Sequence, residues 1–190
     1  MSWKTLNTKI IEENPYLRFL VDEFETESGK KGKYFYHLNA FGDGFVSVFV
    51  QKDADTFIMT NEYRYLFDRF SLANPKGSID KNESIEEAAI RETVEECGYK
   101  PKVLIPLGWI SSAPAFSKEK MHLFLGKDLE YIGQNLEGFE EIKVREMTVK
   151  QIDEAIASGE IWDGATISGW CKVKLYLASC HPERSEGSLI

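Results

Sequence analysis

The chain has 190 residues, 43% of them hydrophobic and 13% aromatic, with a formal net charge of −8 at pH 7. That length carries one good hydrophobic core with room for a small accessory unit. The acidic balance argues against a protein that grips a nucleic-acid backbone, which needs a basic surface. No stretch approaches the roughly 18 apolar residues of a membrane span, and the opening residues hold no apolar run of signal-peptide length. The three cysteines, Cys97, Cys171 and Cys180, form no C-x-x-C pair and leave an odd thiol, which points to a reducing, cytoplasmic setting.

Residues 1–43 read as short strands, over 16–21 and 34–38, joined by the charged turn 27–32. A unit this small cannot bury its own faces, so it is expected to pack on the main domain or on a second subunit. Residues 44–180 form the main domain in this reading. Strands are predicted over 44–50 and 56–60, then 103–110, 122–126 and 142–147. Ser84-Ile85-Glu86-Glu87 is a capping box, S-x-x-E, and predicts a helix from Ile85 that ends at Gly98. Thr148-Val149-Lys150-Gln151 is a second, predicting a helix to about Ser158 before Gly159, and a last helix is expected over 165–178. Strands and helices in this order predict an α/β sandwich around a mixed sheet. The polar, turn-forming residues 181–190 read as a disordered tail.

The most informative segment is Gly77 to Gly98. It carries seven fixed residues in the pattern G-x5-E-x7-R-E-x-x-E-E-x-G, filled by Gly77, Glu83, Arg91, Glu92, Glu95, Glu96 and Gly98. At about 100° per residue, Ile85, Ala89, Ile90, Thr93, Val94 and Cys97 share the buried half of the helix. Glu92 and Glu96 then lie about 40° apart at the edge of that arc, with Glu95 one step round and the small Ala88 between. Like charges at i,i+3 and i,i+4 repel by about 0.2–0.5 kcal/mol a pair, and no Lys interleaves to relieve them. A merely solvated face does not explain that cluster. Hard oxygen ligands converging on one spot are what Mg²⁺ requires, with waters and substrate phosphates as its remaining ligands.

This segment resembles the signature box of the Nudix hydrolases, metal-dependent enzymes that cleave a nucleoside diphosphate from another moiety. The resemblance extends to about residue 178 and is similar to the ADP-ribose pyrophosphatase (ADP-sugar diphosphatase) branch. It is carried by the opening 3–16, which resembles the branch's N-terminal sheet, by Tyr63-Arg64-Tyr65, which resembles its arginine-bearing strand, by Ser112-Ala113-Pro114-Ala115-Phe116-Ser117, and by 121–129. Departures are Ala115 where the branch has Gly, Thr93 where an aliphatic residue is usual, and the box entry Asn74-Pro75-Lys76, which resembles nucleotide-polyphosphate members.

What the resemblance implies is a Nudix-type α/β/α sandwich with a small N-terminal antiparallel β unit that forms a homodimer. It implies hydrolysis of ADP-ribose to AMP and ribose 5-phosphate with Mg²⁺, or Mn²⁺, as cofactor. Glu92, Glu95, Glu96 and the backbone carbonyl of Lys76 would hold the metal. Glu83 and Arg91 would brace loop and helix through an ion pair. Arg64 and the Pro114 loop would meet the substrate, and Tyr16 with Tyr34 or Tyr36 would stack on adenine. Glu140, with Glu137 second, would be the general base. Two alternatives stay open: hydrolysis of other nucleoside diphosphate sugars or dinucleoside polyphosphates, and a non-catalytic Nudix domain that senses a nucleotide.

Overall fold

The computed structural model describes residues 3–39, 44–136, 138 and 140–180. The chain opens with a three-stranded antiparallel sheet of β1 (Lys4–Glu13), β2 (Leu17–Glu25) and β3 (Lys31–Asn39), in the order β1-β2-β3. Gly29, at φ 79°, makes the β2–β3 turn, a left-handed position that glycine enters without steric cost.

A second, seven-stranded sheet follows. Its strands are β4 (Gly44–Gln51), β5 (Thr56–Arg64), β6 (Arg69–Ala73), β7 (Lys76–Ser78), β8 (Tyr99–Ile110), β9 (Lys120–Tyr131) and β10 (Lys143–Thr148). The path is β10-β5-β4-β9-β8, with β6 on β5 and β7 on β4. β4 and β9 are parallel, from Gly44↔Lys120 to Val50↔Gly126, and the other pairings are antiparallel, so the sheet is mixed. The central β4 alternates between two cores, as the period of a strand requires. Val46, Val48 and Val50 face Ala88, Ala89 and Cys97 of α1 (Ile85–Cys97). Phe49 turns the other way, into a core with Ile152 and Ala155 of α2 (Val149–Ser158) and Trp170 and Val173 of α3 (Gly164–Cys180). The result is an α/β/α sandwich. β8 carries Pro101 and Pro106, which an edge strand with a neighbour on one side only tolerates better than a central one.

Both expected capping boxes form. Ser84 Oγ accepts the Glu87 N–H at 3.2 Å, and Glu87 Oε2 accepts the Ser84 N–H at 2.9 Å. Thr148 and Gln151 make the same exchange. The buried face of α1 is rotated from the expected one. Ala88 and Glu96 are buried with Ala89, Thr93 and Cys97, whereas Ile85, Ile90 and Val94 are only half-buried. The cause is β7, which lies under the acidic side of the helix and covers it. The strands read from the residues alone also lacked β6 and β7 and ended β5 four residues short, while the resemblance placed 3–16, which includes β1, in the N-terminal sheet. The tail at 181–190 lies outside the described residues.

The N-terminal sheet is tied to the loop after β8. His37 N–H donates to the Phe116 carbonyl at 2.9 Å and Tyr34 Oη to the Ala115 carbonyl at 3.0 Å. Lys118 Nζ reaches Tyr36 Oη at 3.1 Å and Asp22 at 3.4 Å.

Candidate active site

β7 and α1 build the acidic site together. A Cβ on Gly77 would collide with the carboxylate of Glu92. The box glycine therefore leaves room for the Glu92 carboxylate, and no turn calls for it. Arg91 ties the surroundings into one unit. Its Nε and Nη2 donate to Glu83 at 2.8 and 2.9 Å, and Nη2 also reaches the Ser78 carbonyl at 2.8 Å. The expected Arg91–Glu83 brace is therefore present. Arg91 does more than was expected of it, because its Nη1 donates to both Glu92 and Glu95 at 2.9 Å. A planar guanidinium presents five donors in a fixed fork, which suits it to holding several carboxylates at once. Accordingly, no three Asp, Glu, His or Cys side chains converge to metal-binding distance among the described residues; Arg91 takes the glutamate oxygens instead.

Electrostatics mark the same helix face. Burial pushes the Glu96 carboxyl up to about 8; Lys76 opposes this, and the charges of Glu92, Glu62 and Glu140 reinforce it. Burial likewise pushes Glu92 up to about 7, against Arg91 and with Glu95 and Glu140. Buried carboxylates crowded by one another favour a bound cation, since each proton or cation gained relieves both desolvation and repulsion. The donor set of hard carboxylate oxygens thus fits a divalent metal.

A cavity of about 810 Å³ adjoins this face. Its polar wall contains Lys76 and Gly77 of β7, Glu62 and Arg64 of β5, and Asp163 ahead of α3. Glu62 holds Arg64 through the two terminal guanidinium nitrogens, Nη2 at 2.7 Å and Nη1 at 3.1 Å. Burial raises the Glu62 carboxyl, opposed by Arg64 and reinforced by Glu140. Lys76 Nζ pairs with Asp163 Oδ2 at 2.8 Å. The same oxygen caps α3 by accepting the Thr166 N–H at 3.1 Å and its hydroxyl at 2.6 Å. Burial would raise Asp163, but Lys76 and Thr166 outweigh it and hold the carboxyl low.

The remaining expected residues are placed unevenly. Pro114 sits in a turn closed by the Phe116 and Ser117 N–H groups on the Ala113 carbonyl, and Ser112, Ala113 and Ser117 line the cavity. Glu140 is exposed, and its charge reaches Glu62, Glu92 and Glu96. Glu137 lies outside the described residues. Tyr16, Tyr34 and Tyr36 are absent from the described cavity wall. Tyr36 is buried and donates to Asp22 at 3.1 Å, which makes it part of the N-terminal sheet's own packing.

Sequence reasoning missed Glu62, Trp162 and Asp163. For Glu62 a signal existed: it stands two residues before Arg64 on a strand, hence on the same face. Asp163 stands three residues before Thr166, the spacing of a helix N-cap. His37 lines the cavity with Nδ1 buried and lacking a hydrogen-bond partner among the described residues.

Comparison with known proteins agrees with this geometry. The sequence model of the NUDIX domain matches residues 43–167. The chain is 28% identical over 165 residues to an ADP-ribose pyrophosphatase of Bacillus subtilis (strain 168), covering 86% of this chain and 88% of the relative. It is 37% identical over 86 residues, 45% of each chain, to the ADP compounds hydrolase NudE of Escherichia coli (strain K12). A crystal structure of an ADP compounds hydrolase matches with a TM-score of 0.81 at 21% identity, over 95% of this chain and 97% of that one, so the fold is shared. With box, sandwich and family match in agreement, this chain belongs to the Nudix family.

Proposed function

We propose that the protein hydrolyses the diphosphate linkage of ADP-ribose, giving AMP and ribose 5-phosphate, with Mg²⁺ as its cation. The observation that carries this reading is the packing of the Glu92 carboxylate against Gly77 beside the buried Glu96, at the edge of a cavity walled by Arg64 and Lys76. The ADP-ribose pyrophosphatase and ADP compounds hydrolase relatives supply the substrate class.

Glu92, Glu95, Glu96 and the Lys76 carbonyl would hold the cation once Arg91 gives up its two helix glutamates. When bound, such an ion neutralises diphosphate oxygens and makes a nearby water more acidic. The chain's own residues do the rest. Arg64 turns its fork from Glu62 to the diphosphate, a planar match to phosphate oxygens. Glu140 takes a proton from the attacking water on a carboxylate oxygen. Water oxygen joins one phosphorus as the bridging P–O bond breaks, and the leaving phosphate departs with that bond's electron pair.

The N-terminal β unit serves dimerisation in this proposal. Trp3, Ile10, Ile11, Phe19 and Phe35 are exposed on a sheet too thin to cover them. The three free thiols suit work in the cytoplasm. A second reading, action on dinucleoside polyphosphates, is favoured by Lys76, whose ammonium lines the cavity wall.

A panel of ADP-ribose, ADP-glucose, UDP-glucose, diadenosine polyphosphates and nucleoside triphosphates, run with and without Mg²⁺, tests the proposal. Metal-dependent preference for ADP-ribose supports it, and preference for a polyphosphate transfers the case to the second reading. No turnover of any of them sinks both and leaves a nucleotide sensor.

A further inference from the structure

The cavity has a second wall that the mechanism does not use. Immediately after Arg64 the chain makes a single 3-10 turn, Tyr65–Phe67, reversed by Asp68 at φ 49°. Its side chains are 85%, 88% and 63% exposed at Tyr65, Leu66 and Phe67, so none is a core residue, yet all three line the cavity. Trp162 completes this wall. It is fixed in orientation by Nε1–H donation to the Phe70 carbonyl at 3.1 Å, and packs 4.7 Å from the Phe67 ring.

Aromatic and phosphate-binding groups are neighbours in the chain on both sides. Tyr65 follows Arg64, and Trp162 precedes Asp163, which is paired to Lys76 at 2.8 Å. Consecutive Cα atoms lie about 3.8 Å apart, so each flat ring starts one residue from a group in the diphosphate wall. Flat apolar surface beside phosphate-binding cations is the complement of a nucleotide: a stackable base next to its phosphates.

We propose that Tyr65 and Phe67, backed by Trp162 with Arg69 stacked 5.0 Å from its ring, form the nucleobase platform of this enzyme, in place of the tyrosines of the N-terminal sheet. The inference rests on the ADP-ribose reading and deepens it by fixing which end of the substrate lies where. The base stacks at the rim on the 3-10 turn, the diphosphate lies along Arg64 and Lys76, and the distal ribose phosphate points to the Ser112–Ala113 side.

The test is AMP binding to the whole protein by calorimetry, without turnover, in wild type and in Tyr65→Ser/Phe67→Ser. Both positions are exposed, and circular dichroism confirms that the variant folds. The expected result is a Kd for AMP about tenfold weaker, in the range of single base–aromatic stacks, with ribose 5-phosphate inhibition unchanged. KM for ADP-ribose should rise in parallel while kcat stays within about twofold. Unchanged AMP affinity in the folded variant overturns the proposal. So does unchanged affinity with a fall in solution mass, which would make the turn a subunit contact. Wild type that binds AMP in a platform-dependent way yet leaves ADP-ribose intact would defeat the substrate reading and uphold the platform.

Discussion

Gly77 shows how much of the site depends on single atoms. Gly77→Ala inserts a methyl where the Glu92 carboxylate now lies, so the Glu92 side chain must swing out of its place. The cost in stability is at most about 1–3 kcal/mol, because a side-chain end can give way, while turnover falls at least about a hundredfold through the displaced carboxylate. Urea melts and steady-state rates measure both, and a near-native rate would show that the close approach is incidental. Glu96 governs pH response. Burial raises its carboxyl from 4.5 to about 8 in the folded state, so without metal the folded protein holds a proton that the unfolded chain releases. The stabilisation from Glu96 is present in full below the unfolded value and is lost as pH rises through about 8. The metal-free protein should therefore have a lower Tm at about pH 8.5 than at about pH 5.5, and Glu96→Gln should reduce that slope to the share that Glu92, raised to about 7, contributes. Added divalent cation should raise Tm most at the alkaline end, because it binds the deprotonated carboxylates. A Tm difference that survives Glu96→Gln unchanged would assign the slope to other groups. The seven box positions made this site legible in the sequence. The part that was not legible is long-range: nothing in Glu62, Asp163 or Trp162 taken locally says that β5 and the start of α3 meet β7.

Helix α1 and the loop that follows β9 act as one element. Gly98 ends the helix at φ 77°, and its carbonyl accepts the Ile132 N–H at 2.8 Å. Asn135 N–H donates to the Glu95 carbonyl at 3.2 Å and Gln134 Nε2 to that of Glu96 at 2.6 Å. The backbone of α1 thereby anchors the segment leading to Glu140. Gly98→Ala would strain a left-handed residue, about 1–3 kcal/mol, and press its Cβ on Gln134 N at 2.8 Å. Stability should fall by roughly that amount, and kcat should fall about tenfold as Glu140 loses its tether, with metal affinity changed little. If kcat is unaffected, either the anchor or the choice of Glu140 as base is wrong. At this scale the sequence was readable wherever local chemistry decides. Two capping boxes and two helix-ending glycines set α1 and α2 to the residue. It was unreadable where pairing decides: β1 is a polar ten-residue strand without alternation, and β6 and β7 are too short to show a period.

The whole molecule joins a sandwich that supplies chemistry to a thin sheet with apolar residues exposed. If that sheet mediates association, light scattering should give a mass near twice 21.7 kDa. Phe19→Lys with Phe35→Lys, which share one face of the sheet, should reduce it to the single-chain value, since like charges at an apolar contact are costly. A wild-type mass of one chain would end the dimer proposal and leave the sheet a lid over the Ser112–Ser117 side of the cavity. The chemistry is tested most directly by measuring AMP and ribose 5-phosphate released from ADP-ribose, with and without Mg²⁺, by wild type and by Glu96→Gln. The expected result is stoichiometric release of both products by wild type only when metal is present, and loss of turnover in the folded variant. Metal-independent release, or near-wild-type turnover by Glu96→Gln, would contradict the site described here.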